Sequence, residues 1–181
     1  MSPELMPAAD ISTPFQEHTL GQTRAPQKLV TRGDHRQAML RMVTQSRRTI
    51  DIVSRHLDPM IFNERDMVDA FKSLALRNRN VKIRILILDP SPLLHRVHRL
   101  VDLALRLTSF FELRTPPPEH RNCNESMLIA DRKGYVHSRL SDRYEGVANF
   151  HAPDVTKELL RRFDDLWQTA LPDPHLRRLS L

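Results

Sequence analysis

The residues whose types and spacing favour chemistry lie between Asn124 and Asp142, in two short apolar stretches joined by a turn. The first stretch carries Asn124 and Ser126 near its start, and the second carries His137 and Arg139. Successive side chains of a β-strand point to opposite faces, so residues at i and i+2 share a face. Each pair is therefore expected to present two polar side chains to the same ligand.

Two other groups of residues have spacings that chemistry uses. His95 and His98 stand one helical turn apart and could ligate a metal, but Arg96 and Arg99 flank them and would repel a cation. We expect a solvated basic face there and no metal site. Asp89 follows a strand, where open α/β sheets place ligands, but an acid at this point also favours the start of a helix. We favour the structural role.

The elements that must position these residues alternate between helix and strand. They are a helix from Asp34, a strand at Thr49–Val53, a helix capped by Asn63, a strand at Val81–Leu88, a helix from Ser91 to Leu105, a strand at 110–113, the hairpin after Asn124 and a helix over about 153–170. This order predicts an α/β fold with a mixed β-sheet flanked by helices on both faces.

The chain of 181 residues is expected to form one folded domain at about 34–171. Residues 1–33 contain four prolines and no apolar period, which predicts a flexible arm or linker, and residues 172–181 are expected to form a tail. No apolar run is long enough for a membrane helix. The single Cys123 excludes an intrachain disulfide and favours a cytoplasmic protein.

The charge of the chain favours anionic partners. Its 28 Lys and Arg residues outnumber 22 Asp and Glu residues, which gives a formal net charge of +6. Nucleic acid, phosphorylated ligands and acidic lipid headgroups are the partners that such a balance favours. The alternative is a basic, soluble surface with no such role, because no basic run interleaved with aromatic residues is present.

The order of elements, the strand Val81–Leu88 that passes into Asp-Pro, and the closing helix at Phe163–Trp167 resemble one repeat of the phospholipase D superfamily. The resemblance covers roughly residues 34 to 171. The signature of that superfamily is H-x-K-x(4)-D, followed by a turn and a G-S-x-N strand. The resemblance implies a reaction in which the His attacks phosphorus to give a phosphohistidine, while Lys and Asn hold the phosphate oxygens.

In a first register, the apolar run that ends at Asp131 matches the end of the motif. Asn124 then stands at the nucleophile position and Ser126 at the lysine position. An amide is no phosphoryl acceptor, and a serine hydroxyl carries no charge. Arg132–Gly134 would make the turn, and Tyr135–Leu140 the return strand. We favour this register, because it preserves the length and the apolar pattern of the hairpin.

In a second register, His137 and Arg139 stand for the His and Lys, and Gly146–Phe150 stands for the G-S-x-N strand. The nucleophile and a cation survive here. The next acid, Asp142, comes two residues too early, however, and Val147 replaces the Ser of the motif. Neither register preserves the whole motif.

The resemblance therefore implies a degenerate phospholipase D-like module of bacterial type. We expect it to be non-catalytic and to bind a phosphate-bearing ligand, nucleic acid or a partner protein, with neither a cofactor nor a metal. A homodimer or a partner domain is implied by analogy. The expected ligand-binding residues are Asn124, Ser126, Asp131, His137, Arg139 and Asn149. The alternative is an active phosphodiesterase or nuclease, with His137 as nucleophile and Arg139 as the cationic clamp.

Overall fold

The structure, a computed structural model, describes residues 15–120, 122–140 and 142–177. The strands are β1 (Gln27–Leu29), β2 (Thr49–Ser54), β3 (Lys82–Ile87), β4 (Phe111–Arg114), β5 (Ser126–Ala130), β6 (Gly134–Ser138) and β7 (Gly146–Asn149). The helices are α1 (Arg32–Gln45), α2 (Pro59–Phe62), α3 (Arg65–Arg77), α4 (Arg99–Arg106), α5 (Pro153–Thr169) and α6 (Pro174–Arg177). Two 3₁₀ turns lie at Ser91–Leu94 and Pro118–His120.

The seven strands form one mixed sheet in the order β1-β7-β6-β5-β2-β3-β4. Strands β2, β3 and β4 run parallel, because helices cross over between them. Strands β5, β6, β7 and β1 pair antiparallel, and β5 pairs antiparallel with β2. The end of β2 therefore lies beside the start of β5, so the parallel and antiparallel halves of the sheet meet there.

Both faces of the sheet are covered, as the sequence predicts. Ile83, Ile85 and Ile87 of β3 face a core layer shared with α1, α3 and α4, and Leu86 faces a second layer shared with α5. The continuous apolar run of β3 follows from this position, because a strand covered on both faces has no wet side.

One charged side chain of β3, Arg84, points into the layer below α5. Its Nε donates to the buried carboxylate of Asp51 at 2.6 Å, and its Nη1 donates to Asp164 of α5 at 2.8 Å. The guanidinium also lies 4.6 Å from the ring centroid of Phe163. Burial raises the pKa of Asp51. This network fixes α5 on the sheet.

Part of the segment 1–33, predicted as a flexible arm or linker, belongs to the sheet in the structure. Strand β1 pairs with β7, and Leu29 is fully buried. Phe15 is also buried and stacks on Phe150, with ring centroids 6.1 Å apart. Two such isolated anchors give no apolar period, so the sequence carries little signal for them. Residues 1–14 lie outside the described residues.

Part of the segment 172–181, predicted as a C-terminal tail, is helical in the structure. Helix α6 begins at Pro174, and Leu176 is buried in the main core layer. Residues 178–181 lie outside the described residues.

Helix boundaries differ from prediction at three points. The N-cap of α1 is Thr31 and not the predicted Asp34. Asp34 instead completes a capping box by accepting from the Thr31 N–H at 2.9 Å. Asn63 ends α2, and α3 begins two residues later. The predicted helix from Ser91 to Leu105 is split, since only the part from Arg99 is α-helical.

The split places His98 differently from the predicted solvated face. His98 is buried, and its Nε2 lies 3.0 Å from the Leu57 carbonyl oxygen. Burial lowers the pKa of His98, so the ring is held neutral in the core.

Candidate functional site

A cleft of about 410 Å³ opens where β2 ends, β5 begins and β6 ends. Each of the three strands contributes a serine to its wall, namely Ser54, Ser126 and Ser138. Ser126 and Ser138 are direct cross-strand partners, so they share a face of the sheet. The antiparallel pairing of β5 with β2 brings these strand ends together.

The remaining walls of the cleft come from α1, α2, the loop after β2, the segment before β5 and the loop that joins β6 to β7. They supply charged and aromatic side chains, which include His35, Arg55, His56, Asp58, Asn124, Asp142, Arg143 and Tyr144. Met39, Ile61 and Phe62 add apolar surface, so charged and apolar groups are mixed around the three serines.

The acid Asp58 is tied into a network with Tyr144 and Arg32. The Tyr144 hydroxyl donates to Asp58 Oδ2 at 2.5 Å, and Arg32 Nε donates to the Tyr144 oxygen at 2.7 Å. Arg32 also forms an ion pair with Asp58 at 3.3 Å. Burial, followed by the Asp58 hydrogen bond, raises the pKa of Tyr144. The network joins the β6–β7 loop to α1 and leaves the Asp58 charge balanced.

Ser138 holds the loop between β6 and β7. Its buried hydroxyl lies 2.6 Å from the Glu145 carbonyl oxygen and 3.0 Å from that of Leu140, so a single donor fastens both ends of the loop. On the other side of the cleft mouth, Asn124 Nδ2 donates to Asp142 Oδ1 at 3.3 Å. The loop is thus fixed over the cleft.

His35 packs below this loop and is buried. Burial lowers its pKa, which favours a neutral ring. Gly146 makes this packing possible: a Cβ at that position would lie 2.9 Å from His35 Cε1 and 2.5 Å from the His137 carbonyl oxygen. Any larger residue at position 146 would force β7 or α1 to move.

Two of the residues predicted from the sequence, Asn124 and Ser126, line the cleft. Two others lie elsewhere. Asp131 sits at the far end of β5, where its carboxylate accepts from the backbone N–H groups of residues 47, 48 and 49 at 2.8–2.9 Å. Asn149 donates to the Arg24 carbonyl oxygen at 3.0 Å and accepts from the His151 N–H. Both side chains hold backbone segments together.

His137 and Arg139 line a different groove, of about 760 Å³, on the α5 side of the sheet. His137 Nε2 hydrogen-bonds to Glu125, and the same carboxylate accepts from Arg162 of α5. Burial alone would raise the pKa of Glu125, but the hydrogen bonds and charges of His137 and Arg162 outweigh it and lower that pKa. The predicted pair Asn124 and Ser126 therefore lies on one face of the hairpin, and the predicted pair His137 and Arg139 lies on the other.

The hairpin consists of β5, a three-residue turn and β6. Strand β5 ends at Ala130, the turn begins at Asp131, and β6 starts at Gly134. In the second register, the His position is His137 on β6, which ends at Ser138. Its G-S-x-N counterpart does form a strand, β7.

Four cleft residues, Arg55, His56, Arg143 and Tyr144, are not among those predicted from the sequence. Arg55 and His56 come directly after β2, so their place at the carboxyl end of a central strand is a usable signal. The two loop residues carry no such signal, because their role depends on how the loop folds back toward α1.

Two properties of the described chain bear on ligand classes. No group of three or more His, Cys, Asp or Glu side chains in the described ranges could hold a metal ion. In the same ranges, no helix combines the length and apolar character that crossing a membrane requires.

Residues 31–179 match a protein-family model described as "Domain of unknown function (DUF7931)". The chain belongs to this family. A comparison of the sequence with curated proteins finds no match.

The DUF7931 domain is similar in structure to phospholipase D family members. Nuc from Salmonella typhimurium, described as a phospholipase D family member, superposes with a TM-score of 0.57 at 16% identity, over 82% of this chain and 97% of Nuc. NucT from Helicobacter pylori gives a TM-score of 0.60 at 13% identity, over 82% of this chain and 99% of NucT. At such low identity the likeness shows the fold, which is phospholipase D-like.

TrmBL2, described as an archaeal chromatin protein with a novel mode of DNA binding, gives a TM-score of 0.63 at 16% identity. The match covers 88% of this chain and 58% of TrmBL2. The DUF7931 domain thus shares its fold both with a phospholipase D family member and with a protein described as a chromatin protein.

Proposed function

We propose that this domain is a non-catalytic phospholipase D-like module that binds a phosphate-bearing ligand, specifically nucleic acid, in the cleft at the end of β2. The observation that carries the proposal is that Asn124 and Ser126 both line the cleft. In the first register, these two residues occupy the positions of the superfamily's His and Lys. An amide and a hydroxyl donate hydrogen bonds to phosphate oxygens. They supply neither the histidine nucleophile nor the lysine charge of the superfamily reaction.

The charges around the cleft support an anionic ligand. Arg55 and Arg143 line the cleft, and Arg32 balances the acid Asp58 from behind Tyr144. Asp142 is the remaining acid among the described lining residues, and it accepts from Asn124. Two arginines beside hydroxyl and amide donors suit a single phosphodiester better than a cation.

Nucleic acid is the favoured source of the phosphate for two reasons. The chain carries a formal net charge of +6, which attracts polyanions. The structural neighbour TrmBL2 is described as a DNA-binding chromatin protein, so this fold is compatible with such a ligand.

Binding of a fluorescent single-stranded oligonucleotide, measured by anisotropy against salt concentration, tests the proposal. The double variant Arg55→Gln/Arg143→Gln is expected to reduce the slope of log affinity against log salt by about 1.4, from two lost contacts at about 0.7 each. The matched control, Arg65→Gln/Arg161→Gln, removes the same charge from exposed positions outside the cleft. Equal slopes for the two double variants would overturn the proposal.

The alternative, an active phosphodiesterase, has one observation in its favour: His137 and Arg139 line the same groove. Against it, the Nε2 of His137 is bonded to Glu125. Hydrolysis of bis(4-nitrophenyl) phosphate by wild type, His137→Ala and His56→Ala separates the two functions, with His56 included because it lies in the cleft. We expect all three to match the uncatalysed rate. If the wild type hydrolyses the substrate and either substitution abolishes that hydrolysis, the domain is a phosphodiesterase and the proposal of a non-catalytic module is wrong.

The pairing with a second copy or a partner domain is also a proposal, supported by the resemblance alone. Light scattering on the purified chain should give twice the mass of one copy if it forms a homodimer. A single-copy mass at all concentrations would restrict pairing to a different partner.

A further inference from the structure

The end of the sheet opposite the cleft carries a concentration of positive charge. It consists of Arg47 and Arg48, just before β2, Arg77 at the end of α3, and Arg132 and Lys133 in the β5–β6 turn. All five side chains are exposed. We call these five residues the basic end.

Part of the basic end is a concavity of about 460 Å³, lined by Arg47, Arg77 and Lys133. Its walls are fixed. Arg77 Nη1 donates to the Ser46 carbonyl oxygen at 3.2 Å. Lys133 lies along Gly21, where an added Cβ would be 3.1 Å from the lysine Cδ. The three cations therefore surround a defined depression.

Few negative charges balance the basic end. Asp131 is the one acid among the described residues that line the concavity, and its oxygens already accept three backbone N–H groups. The carboxyl ends of α1 and α3 point here too, but each is equivalent to only about half a negative charge. Five cations thus leave a clear positive excess.

Seven arginines elsewhere in the described chain are paired with acids. Arg32, Arg36, Arg65, Arg84, Arg114, Arg161 and Arg162 each lie within ion-pair distance of a carboxylate. Among the described residues, none of the five cations of the basic end forms an ion pair at that distance. The charge of Arg132 interacts with the carboxylate of Asp51, but that carboxylate already accepts a hydrogen bond from Arg84.

We infer that the basic end binds the phosphate backbone of nucleic acid, as a second surface separate from the cleft. Between the cations the lining is mainly polar, with Thr19, Gln22, Thr44 and Gln45. Such side chains contact phosphate and sugar, whereas membrane-surface sites present apolar anchors. Duplex DNA carries one charge per roughly 1.7 Å of axis, so a surface with five cations faces several phosphates at once.

The inference does not depend on the cleft. Strand β2, six residues long, separates the two sites, which at about 3.3 Å per residue places them roughly 20 Å apart. A variant of one site therefore leaves the other in place, and the two proposals fail independently.

The test compares two triple variants of the full chain by anisotropy with a short DNA duplex. Arg47→Gln/Arg77→Gln/Lys133→Gln should lower the slope of log affinity against log salt by about 2.7, and affinity at low salt by tenfold or more. The control, Arg65→Gln/Lys72→Gln/Arg161→Gln, removes equal charge from exposed positions elsewhere. Equal losses in both variants would show a diffuse charge effect and overturn the inference.

A measurement on the unmodified chain covers the case in which the triple variant unfolds. Acetylation of lysines with and without the duplex, read by mass spectrometry, should show protection of Lys133 relative to the exposed Lys72 and Lys157. Equal reactivity of Lys133 in both samples would overturn the inference. Binding of vesicles containing phosphatidylserine, with no protection by the duplex, would assign the surface to lipid instead.

Discussion

The two ends of the central sheet are built in different ways. At the end of β2 the cleft combines three serines, a Tyr–Asp–Arg network and a mixture of charges under a fixed loop. At the start of β2 the basic end has five exposed cations and one lining acid that is already bonded. The difference indicates two kinds of contact. We propose that the cleft holds one phosphate group, whereas the basic end attracts a polyanion by charge.

The topology accounts for this division. The cleft forms where antiparallel β5 starts beside the end of β2, so short side chains from several strands converge there. The basic end forms at the β5–β6 turn and two helix ends, where the chain is exposed and side chains extend into solvent. Converging strand ends position small donors, while turns and helix ends present long cations.

The largest effect should come from reversing charge at the basic end. Arg47→Glu/Arg77→Glu/Lys133→Glu is expected to weaken duplex binding at low salt by about a hundredfold or more, because repulsion is added to three lost contacts. Anisotropy measures it. If the reversal costs no more than the cleft variant Arg55→Gln/Arg143→Gln, the contrast between the two ends is wrong.

Next in size is a change that disturbs the cleft alone. Gly146→Ala places a Cβ 2.5 Å from the His137 carbonyl oxygen and against His35, so it should lower the free energy of unfolding by about 1–3 kcal/mol. Denaturant titration measures the loss. Gly33→Ala serves as the control, since its added Cβ would meet only Thr31 Oγ1 at 3.5 Å. Comparable losses for both variants would contradict the close packing under the loop.

The hairpin that connects the two ends gives a prediction with pH dependence. Glu125→Gln removes the carboxylate that holds His137 and Arg162, and should cost about 1–2 kcal/mol near neutral pH. The pKa of Glu125 is lowered in the folded state, so its contribution is present above the usual Glu pKa and disappears as pH falls through the folded value. Denaturation at neutral and acidic pH should show the difference between wild type and variant shrink in acid.

The control for that experiment is Glu158→Gln, which removes an exposed carboxylate paired with Arg161. It should change stability little at either pH. A Glu125→Gln variant that behaves like Glu158→Gln would show that the hairpin contact contributes nothing.

The smallest expected effect is a gain in affinity for single-stranded DNA at the cleft. Ser126→Lys introduces a cation at the β5 wall of the cleft and should steepen the salt slope for single-stranded DNA by about 0.7, with a modest rise in affinity. Lys introduced at the exposed Ser73, on α3, is the matched control. If Ser73→Lys raises affinity as much, position 126 has no special access to the ligand.

The sequence predicts the sheet well because β3 carries an apolar run that only a covered strand needs. It fails at β1, where three residues and one buried Leu29 leave no period to detect. The helix predicted from Ser91 fails because His98 turns into the core, a tertiary effect that propensity does not contain.

The candidate site is predictable where its residues lie on a strand or directly beside a strand end. Asn124 and Ser126 follow from the alternation of the hairpin, and the structure places both in the cleft. Arg143 enters the cleft through a loop, which no period describes. The basic end escapes detection because its five cations come from three separate segments of chain, which only the strand order brings together.

The most direct test of the central claim is a titration of the ¹⁵N-labelled chain with a dinucleotide that contains one phosphodiester, followed by ¹⁵N and ³¹P spectra of the same sample. The account predicts saturable shifts of the amides of Asn124, Ser126, Ser138 and Tyr144, and a phosphodiester ³¹P signal that persists unchanged. Cleft amides that do not move, or a ³¹P signal that converts to a monoester, would contradict a non-catalytic phosphate-binding cleft.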